Sequence, residues 1–309
     1  MNRCPITYEL CGKQKYSERG LHLLSPQLQD LKEFPFGKEQ QLELALQYAD
    51  KLSFSGVQGK LNARLSVSQE EFEVVSKGGT FIIKPQSRSY SELPQNEDLT
   101  MKLAACIGIE TPLHGLMYCS DGSLSYFIKR FDRKGKGKKI ATEDFAQLAG
   151  VSRETKYDFS MERLVPLVEQ FCTFPHLEKK KLFLLTLFSF LIGNEDLHLK
   201  NFSLIREGKT TAFSPAYDLV NSSIVMTTKE ELALPLRGKK SRFTRSDLVQ
   251  YFGQERLGLT VETTQEVLGQ IRNAIGQWNE LIQISFLSEP KKKAYLDLLD
   301  ERRKRLFSS

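Results

Sequence analysis

Residues 182–192, LFLLTLFSFLI, are apolar at almost every position, and the chain leaves them through a glycine into GNEDLHLKNFSL, residues 193–204. The pattern predicts a helix over residues 177–192 that is apolar nearly all round its circumference. Such a helix has no face to give to water, so it belongs at the centre of a folded unit. It is too short for a bilayer, whose hydrocarbon core takes about 20 apolar residues. The loop that follows places an acid, a histidine, a lysine and an asparagine directly on that buried support. A rigid support is what side chains need if they are to hold a fixed mutual geometry.

A chain of 309 residues is long enough for one large domain or for two lobes with a cleft between them, and two lobes is the expectation. With 40% hydrophobic and 27% charged residues, the composition is that of a soluble globular protein and excludes fibrous and disordered classes. The opening MNRCPITYELCGKQ has no apolar segment of signal-peptide length, so a soluble, cytoplasmic protein with no membrane association is expected. Five cysteines (Cys4, Cys11, Cys106, Cys119, Cys172) are scattered without a CxxC pair among only four histidines. That spacing supports reduced thiols rather than a disulfide frame or a zinc site. The net charge of +6 fits either a nucleic-acid face or a cleft that attracts phosphates.

Residues 1–50 are polar and loop-rich, with a helix predicted over 38–52 on an apolar face of Leu42, Leu44, Leu46 and Ala49. KLNARLSV and GTFIIKP then read as antiparallel strands separated by a polar segment ending in Gly78 and Gly79. After a loop with Pro85 and Pro94, a helix is expected from Asn96 to near Gly108, followed by strands at HGLMYC and LSYFIKRF joined by an SDG turn. The lysine-rich KGKGKK reads as a loose connection, and TEDFAQLAG opens a mainly helical second half. The closing ERRKRLFSS reads as a solvated helix end and fraying tail.

Phosphoryl transfer needs a carboxylate to orient the attacking hydroxyl, an asparagine and an aspartate to hold magnesium, a lysine on the phosphates and a loop to cover them. Asp196 and Asn201 form D-x-x-x-x-N, the spacing of a kinase catalytic loop, directly after the buried helix. Asp218, in SPAYDLV, follows an inferred hairpin, Lys84 ends a strand-like run, and Glu97 opens the next helix. Singly, each has an ordinary structural reading: a chance spacing, a turn aspartate, a strand-edge lysine, an acid in the first turn of a helix. His198 alone reads as structural and Glu195 as incidental. Conjunction and order carry the kinase reading, although spacing alone also fits a small-molecule phosphotransferase. SFSGVQGK, residues 53–60, supplies the covering loop, but its glycines lack the order G-x-G-x-x-G and also fit a plain hairpin turn.

Together these stretches resemble the HipA family of bacterial toxin serine/threonine kinases, most closely its short HipT type. The resemblance rests on SFSGVQGK, FIIKP, Asn96 with Glu97, KRFDR, EDFAQLAG, GNEDLHLKNFSL and PAYDL, which follow the family's order over roughly residues 53–220, and on YSERGLHLLSP nearer the start. It implies an α+β, two-lobed, protein-kinase-like fold. The N-terminal lobe, residues 1–133, would hold an antiparallel sheet and a helix, and residues 134–309 a mainly helical lobe. It implies use of ATP and Mg2+, with Asp196 as the catalytic aspartate and Asn201 and Asp218 on the metal. Lys84 would contact the phosphates beneath Ser55, Gly56, Val57, Gln58, Gly59 and Lys60, with Glu97 orienting the helix. Lys129, Arg130 and Phe131 would form the adenine hinge and Asp132 would reach the ribose. His198, Lys200 and Tyr217 would complete the nucleotide-binding set.

The resemblance also implies partners and regulation. Longer members carry a small N-terminal subdomain, whereas in the short type a separate small protein supplies that part. The antitoxin is a helix-turn-helix protein, so DNA is met indirectly, and the basic runs RFDRKGKGKK and RGKKSRFTR offer phosphate contacts or are simply solvated loops. The protein substrate of such kinases is an aminoacyl-tRNA synthetase, and loop serines, here Ser53 and Ser55, are autophosphorylated. A third reading is a catalytically silent component of a DNA-binding repressor complex. It is disfavoured because Lys84, Asp196, Asn201 and Asp218 are all intact.

Overall fold

The computed structural model describes residues 1–48, 59–135, 137–151, 157–226 and 230–307. They form two compact units: residues 1–99, 112–138 and 284–287 in one, and residues 100–111, 139–283 and 288–309 in the other. The first is built on a five-stranded antiparallel sheet in the order Glu71–Val74, Leu61–Ser66, Phe81–Lys84, Leu124–Lys129, His114–Tyr118. The expected strands pair antiparallel: Leu61–Ser66 with Phe81–Lys84, and His114–Tyr118 with Leu124–Lys129 as a hairpin. Glu71–Val74 is an addition, a short strand whose alternating glutamates had read as a polar connection. Its one buried side chain, Phe72, packs edge-on to Phe81 with ring centroids 5.1 Å apart and lies 5.2 Å from Phe127.

The N-terminal residues complete this core. Cys4, Ile6, Tyr16, Leu21, Leu24, Leu28, Leu31 and Phe34 are all buried with the sheet residues. Ser17 caps the helix Glu18–Leu24 by accepting from the Gly20 amide at 3.0 Å. The helix Lys38–Tyr48 buries Gln41 and Ala45, whereas Leu46 is 50% exposed, so the predicted apolar face is not the inward one. Gln41 can face inward because its amide is satisfied: Nε2 donates to the Phe36 carbonyl at 2.8 Å, and Ser125 Oγ donates to Oε1 at 2.8 Å. Ala49 and the rest of that prediction lie outside the described residues. The helix Leu93–Cys106 starts earlier than expected, because Pro94 falls in its first turn, where a missing N–H costs nothing.

The second unit is organised around the helix Pro175–Ile192, in which every residue from Leu182 to Ile192 is buried. Val261–Ile284 touches it through Trp278, whose ring lies 5.6 Å from Phe188 and whose indole N–H donates to the Leu103 carbonyl at 2.9 Å. A three-stranded antiparallel sheet, Ala141–Asp144, Ser203–Glu207 and Thr210–Phe213, contains the inferred hairpin. The last helix, Glu289–Phe307, is not a frayed tail. Arg302 and Leu306 on it are 4% and 0% exposed, because the charged run presents one face inward where partners await it. The segment read as a loose lysine-rich connection contains the short strands Arg133–Lys134 and Lys138–Lys139. All five cysteines are free thiols. Among the described residues, no helix is long and apolar enough to cross a membrane.

Candidate active site

In the first unit, antiparallel register sets Lys84 opposite Tyr126 at the end of its strand, with Nζ 5.5 Å from the tyrosine ring centroid. The ammonium lies 2.5 Å from Glu97 Oε1, and the two side chains are 4% and 1% exposed. A buried ion pair of this kind repays its desolvation only when both partners are held in good geometry. The next helical residue repeats the device: Asp98 Oδ1 meets His114 Nδ1 at 2.8 Å. The helix is thus tied from two successive positions to two different strands, Phe81–Lys84 and His114–Tyr118.

The residues predicted as a hinge follow the strand Leu124–Lys129. Lys129 is exposed and donates its backbone N–H to the Leu113 carbonyl at 2.8 Å, and Phe131 is half-buried. Arg130 grips Asp132 through two nitrogens, at 2.9 and 2.8 Å, and Arg133 donates to the same carboxylate. Burial raises the Asp132 carboxyl, but these guanidiniums outweigh it and hold the group below the usual carboxylate range. In this state Asp132 is engaged by arginines. Of the covering loop, Gly59 and Lys60 are described; a Cβ at Gly59 would lie 2.8 Å from that of Ala45, and Lys60 is exposed. Ser53, Ser55, Gly56, Val57 and Gln58 lie outside the described residues.

In the second unit the buried helix ends at Gly193, whose φ is +75°. A Cβ there would meet Leu298 at 2.5 Å, Ser223 Oγ at 2.6 Å and Asn221 Oδ1 at 2.8 Å, so only glycine fits. From this stop the loop closes on itself. His198 donates its backbone N–H to the Asp196 carbonyl at 2.8 Å, and Asn201 donates to the His198 carbonyl at 2.9 Å. Asn201 Nδ2 donates to the Asp196 carbonyl at 3.1 Å. The amide nitrogen is thereby committed, which leaves Asn201 Oδ1 as the oxygen able to face a cation. The Asp196 carboxylate is 51% exposed, while Asn201 is buried.

His198 is buried and acts inside the loop, its Nδ1 accepting from the Lys200 amide at 3.3 Å. Lys200 Nζ lies 3.5 Å from Asp144, which caps the helix Phe145–Leu148. The Tyr217 hydroxyl donates to the Lys200 carbonyl at 2.8 Å and lies 2.6 Å from Ser203 Oγ. Asp218 has φ +55°, a left-handed conformation that aspartate tolerates better than most residues. Directly after it, the Ser222 and Ser223 amides donate to the Gly193 carbonyl at 2.9 and 3.2 Å. The Asp218 segment and the Asp196 loop therefore leave from one anchored point. Among the described residues, no group of three histidine, cysteine or acidic side chains is placed to hold a metal. Magnesium on nucleotide phosphates needs only one or two protein oxygens, so an asparagine and an aspartate are a fitting set.

Three residues missed by sequence reasoning define this loop's surroundings. Glu195 is buried, accepts from Ser223 Oγ at 2.5 Å and pairs with Arg302 Nη2 at 3.2 Å. Arg302 also donates to the Phe190 carbonyl at 2.6 Å, and burial pulls its pKa below the ordinary arginine value. Glu195 is thus structural rather than incidental, a role hidden by its separation from Arg302 along the chain. The third residue, Tyr157, donates its hydroxyl to Asp196 Oδ1 and sets its ring edge-on to His198, centroids 5.0 Å apart. Burial first, and then the Asp196 carboxylate, push the Tyr157 phenol above its ordinary range. The basic run RGKKSRFTR is partly used by the fold: Lys239 and Arg237 lie 2.6 and 3.5 Å from Asp247. Although burial opposes it, the Lys239 and Thr244 hydrogen bonds draw the Asp247 carboxyl down to about 2.

Residues 52–278 match the family model described as the HipA-like C-terminal domain. A candidate kinase of Haemophilus influenzae is 26% identical over 345 residues, covering 97% of this chain and 99% of that one. The serine/threonine-protein kinase toxin HipA of Shewanella oneidensis is 27% identical over 206 residues, covering 60% of this chain and 47% of its own. A solved complex of Shewanella oneidensis HipA with HipB and operator DNA superposes with a TM-score of 0.70 at 24% identity, over 90% of this chain and 72% of that one. The Helicobacter pylori kinase CtkA superposes with a TM-score of 0.54 at 15% identity, over 73% and 86%. These likenesses give the chain a two-lobed, kinase-like α+β fold.

Removing Arg302 should leave the Glu195 carboxylate buried without its guanidinium. Arg302→Met is expected to lower unfolding free energy in urea by about 3–5 kcal/mol. Lys304→Ala, on an exposed position of the same helix, should change it by about 0.5 kcal/mol or less. Equal, small effects at both positions would contradict the clasp.

Proposed function

Because the chain belongs to the HipA family of kinases, we propose that it is an ATP- and Mg2+-dependent serine/threonine protein kinase that acts as a growth-arresting toxin of the HipT type. The observation that carries this reading is the closed turn in which Asp196 and Asn201 are held by one hydrogen-bonded loop on a buried helix. The resemblance supplies the protein target, an aminoacyl-tRNA synthetase.

The roles proposed for the individual residues are those the resemblance implies. The half-exposed Asp196 carboxylate accepts a hydrogen bond from the attacking hydroxyl, orients it and receives its proton. Asn201 Oδ1 and Asp218 would hold the metal, whose charge would offset that of the phosphates. Lys84, paired with Glu97, would present its ammonium to phosphate oxygens. By the resemblance, Ser55 to Lys60 would cover the phosphates. Lys129, Arg130 and Phe131 contact the base, and Asp132 reaches the ribose once its arginines yield. Lys200 and Tyr217 support the loop from the far side, with His198 within it.

A helix-turn-helix antitoxin is the proposed partner, supported by the HipB and operator DNA in the Shewanella complex. DNA is then met through the antitoxin. A separate small protein, occupying the place of the N-terminal subdomain of longer members, is the second proposed partner. Cytoplasmic action follows from that set of partners.

Two outcomes are expected. With radiolabelled ATP in a cell lysate, the wild-type chain should label a protein band that Asp196→Ala labels about 10²–10⁴-fold less, the usual weight of a general base. Equal labelling by the two chains, or transfer to sugars and alcohols but never to protein, would overturn the reading. Intact-mass spectra of active enzyme should show phosphate on Ser53, Ser55 or both, absent from Asp196→Ala. A phosphoserine brings nearly two negative charges beneath which a triphosphate must lie, so it should also weaken nucleotide binding.

A further inference from the structure

A hydroxyl already sits on the proposed catalytic carboxylate. Tyr157 Oη donates to Asp196 Oδ1, which is the contact that an acceptor hydroxyl must make before transfer. The ring is held on more than one side: His198 meets it edge-on at 5.0 Å, and Lys240 Nζ lies 6.0 Å from its centroid. Its relative exposure of 38% leaves the tyrosine open to solvent rather than locked in the core. Asp196 itself is anchored by the His198 and Asn201 hydrogen bonds to its carbonyl, which fix the carboxylate's side of the contact.

We propose that Tyr157 is an internal phosphoacceptor, phosphorylated by the same chain that carries it. The inference rests on the kinase reading and deepens it by naming a modification site. In the transfer, Tyr157 Oη attacks the γ-phosphorus of ATP and a bond forms between them. The bond from that phosphorus to the β–γ bridging oxygen breaks, and ADP leaves with its electron pair. The phenolic proton passes to the Asp196 carboxylate and then to solvent. The product is a tyrosine phosphate beside Asp196, and like-charge repulsion between the two drives the ring off the carboxylate. Lys240, already facing the ring and paired with Glu230 at 3.3 Å, is the cation placed to receive the displaced phosphate. Before modification the acceptor position is occupied by the chain's own tyrosine; afterwards it is free for a substrate hydroxyl.

Peptide mapping by tandem mass spectrometry after incubation with ATP and Mg2+ tests this directly. The wild-type chain should carry phosphate on Tyr157, at a first-order rate that does not change on dilution. Isotopically heavy Asp196→Ala chain mixed with light wild type should remain unmodified at Tyr157. In Tyr157→Phe the same peptide should carry no phosphate, which separates the tyrosine from Ser160 and Thr155 nearby. If wild type modifies loop serines or a lysate protein but never Tyr157, the inference fails while the kinase reading stands. Phosphate on Tyr157 of the heavy chain would show transfer between molecules and overturn the internal geometry. A wild-type chain that transfers phosphate to nothing would remove the kinase reading, and the inference with it.

Discussion

The exit from the buried helix Pro175–Ile192 is the constraint on which the rest of the site depends. The first turns of that helix meet solvent at Leu177, but every residue from Leu182 to Ile192 is buried, and that half cannot shift along its axis or turn without disrupting the apolar packing around it, so its end is fixed in space. Gly193 converts that fixed end into a fixed change of direction, since three side chains stand within 2.8 Å of where its Cβ would be. The Gly193 carbonyl then receives the amides of Ser222 and Ser223, and Ser222 Oγ accepts from the Glu195 amide at 2.8 Å. One backbone position thereby locates both the loop carrying Asp196 and the segment that follows Asp218. Preorganisation of this kind lets polar groups act without first being ordered by the substrate.

Two buried ion pairs hold the chemistry-bearing elements in their respective units. Lys84 and Glu97 join a strand to a helix, and Glu195 and Arg302 join the Asp196 loop to the last helix. Neither pair is a strong source of net stability, because desolvation consumes most of the Coulombic gain. Their value lies in specificity of placement. A lysine alone on a strand edge samples many rotamers, and its glutamate removes that freedom. Arg302 reaches both Glu195 and the Phe190 carbonyl, so the loop and the end of its supporting helix are held by one guanidinium.

Much of this was legible because the signals are local. The apolar run, its terminating glycine and the D-x-x-x-x-N spacing sit within one short segment, and the strand ending in Lys84 has the expected bulk and flanking turns. What the sequence hid are pairings between distant positions. Glu195 meets Arg302 across 107 residues and Tyr157 meets Asp196 across 39, and no periodicity links either pair. The closing ERRKRLFSS has the composition of a solvated end, yet Arg302 is inward because a buried carboxylate and carbonyl wait for it. Gln41 replaces the predicted leucine face for the same reason: a satisfied amide can occupy an inward position that propensity assigns to apolar residues. The strand Glu71–Val74 was lost because its glutamates alternate outward around a single buried phenylalanine.

Native-state hydrogen exchange of the backbone amides from Asn194 to Asn201, measured without nucleotide, tests most directly whether the Asp196 loop is built in advance. The bonds that tie the Asn194, Glu195, His198 and Asn201 amides to Ser189, Ser222, Asp196 and His198 predict slow exchange at those positions in the free protein and little further slowing with ATP and Mg2+. Rapid exchange that becomes slow only when nucleotide is added would show that the ligand, not the helix exit, organises the loop.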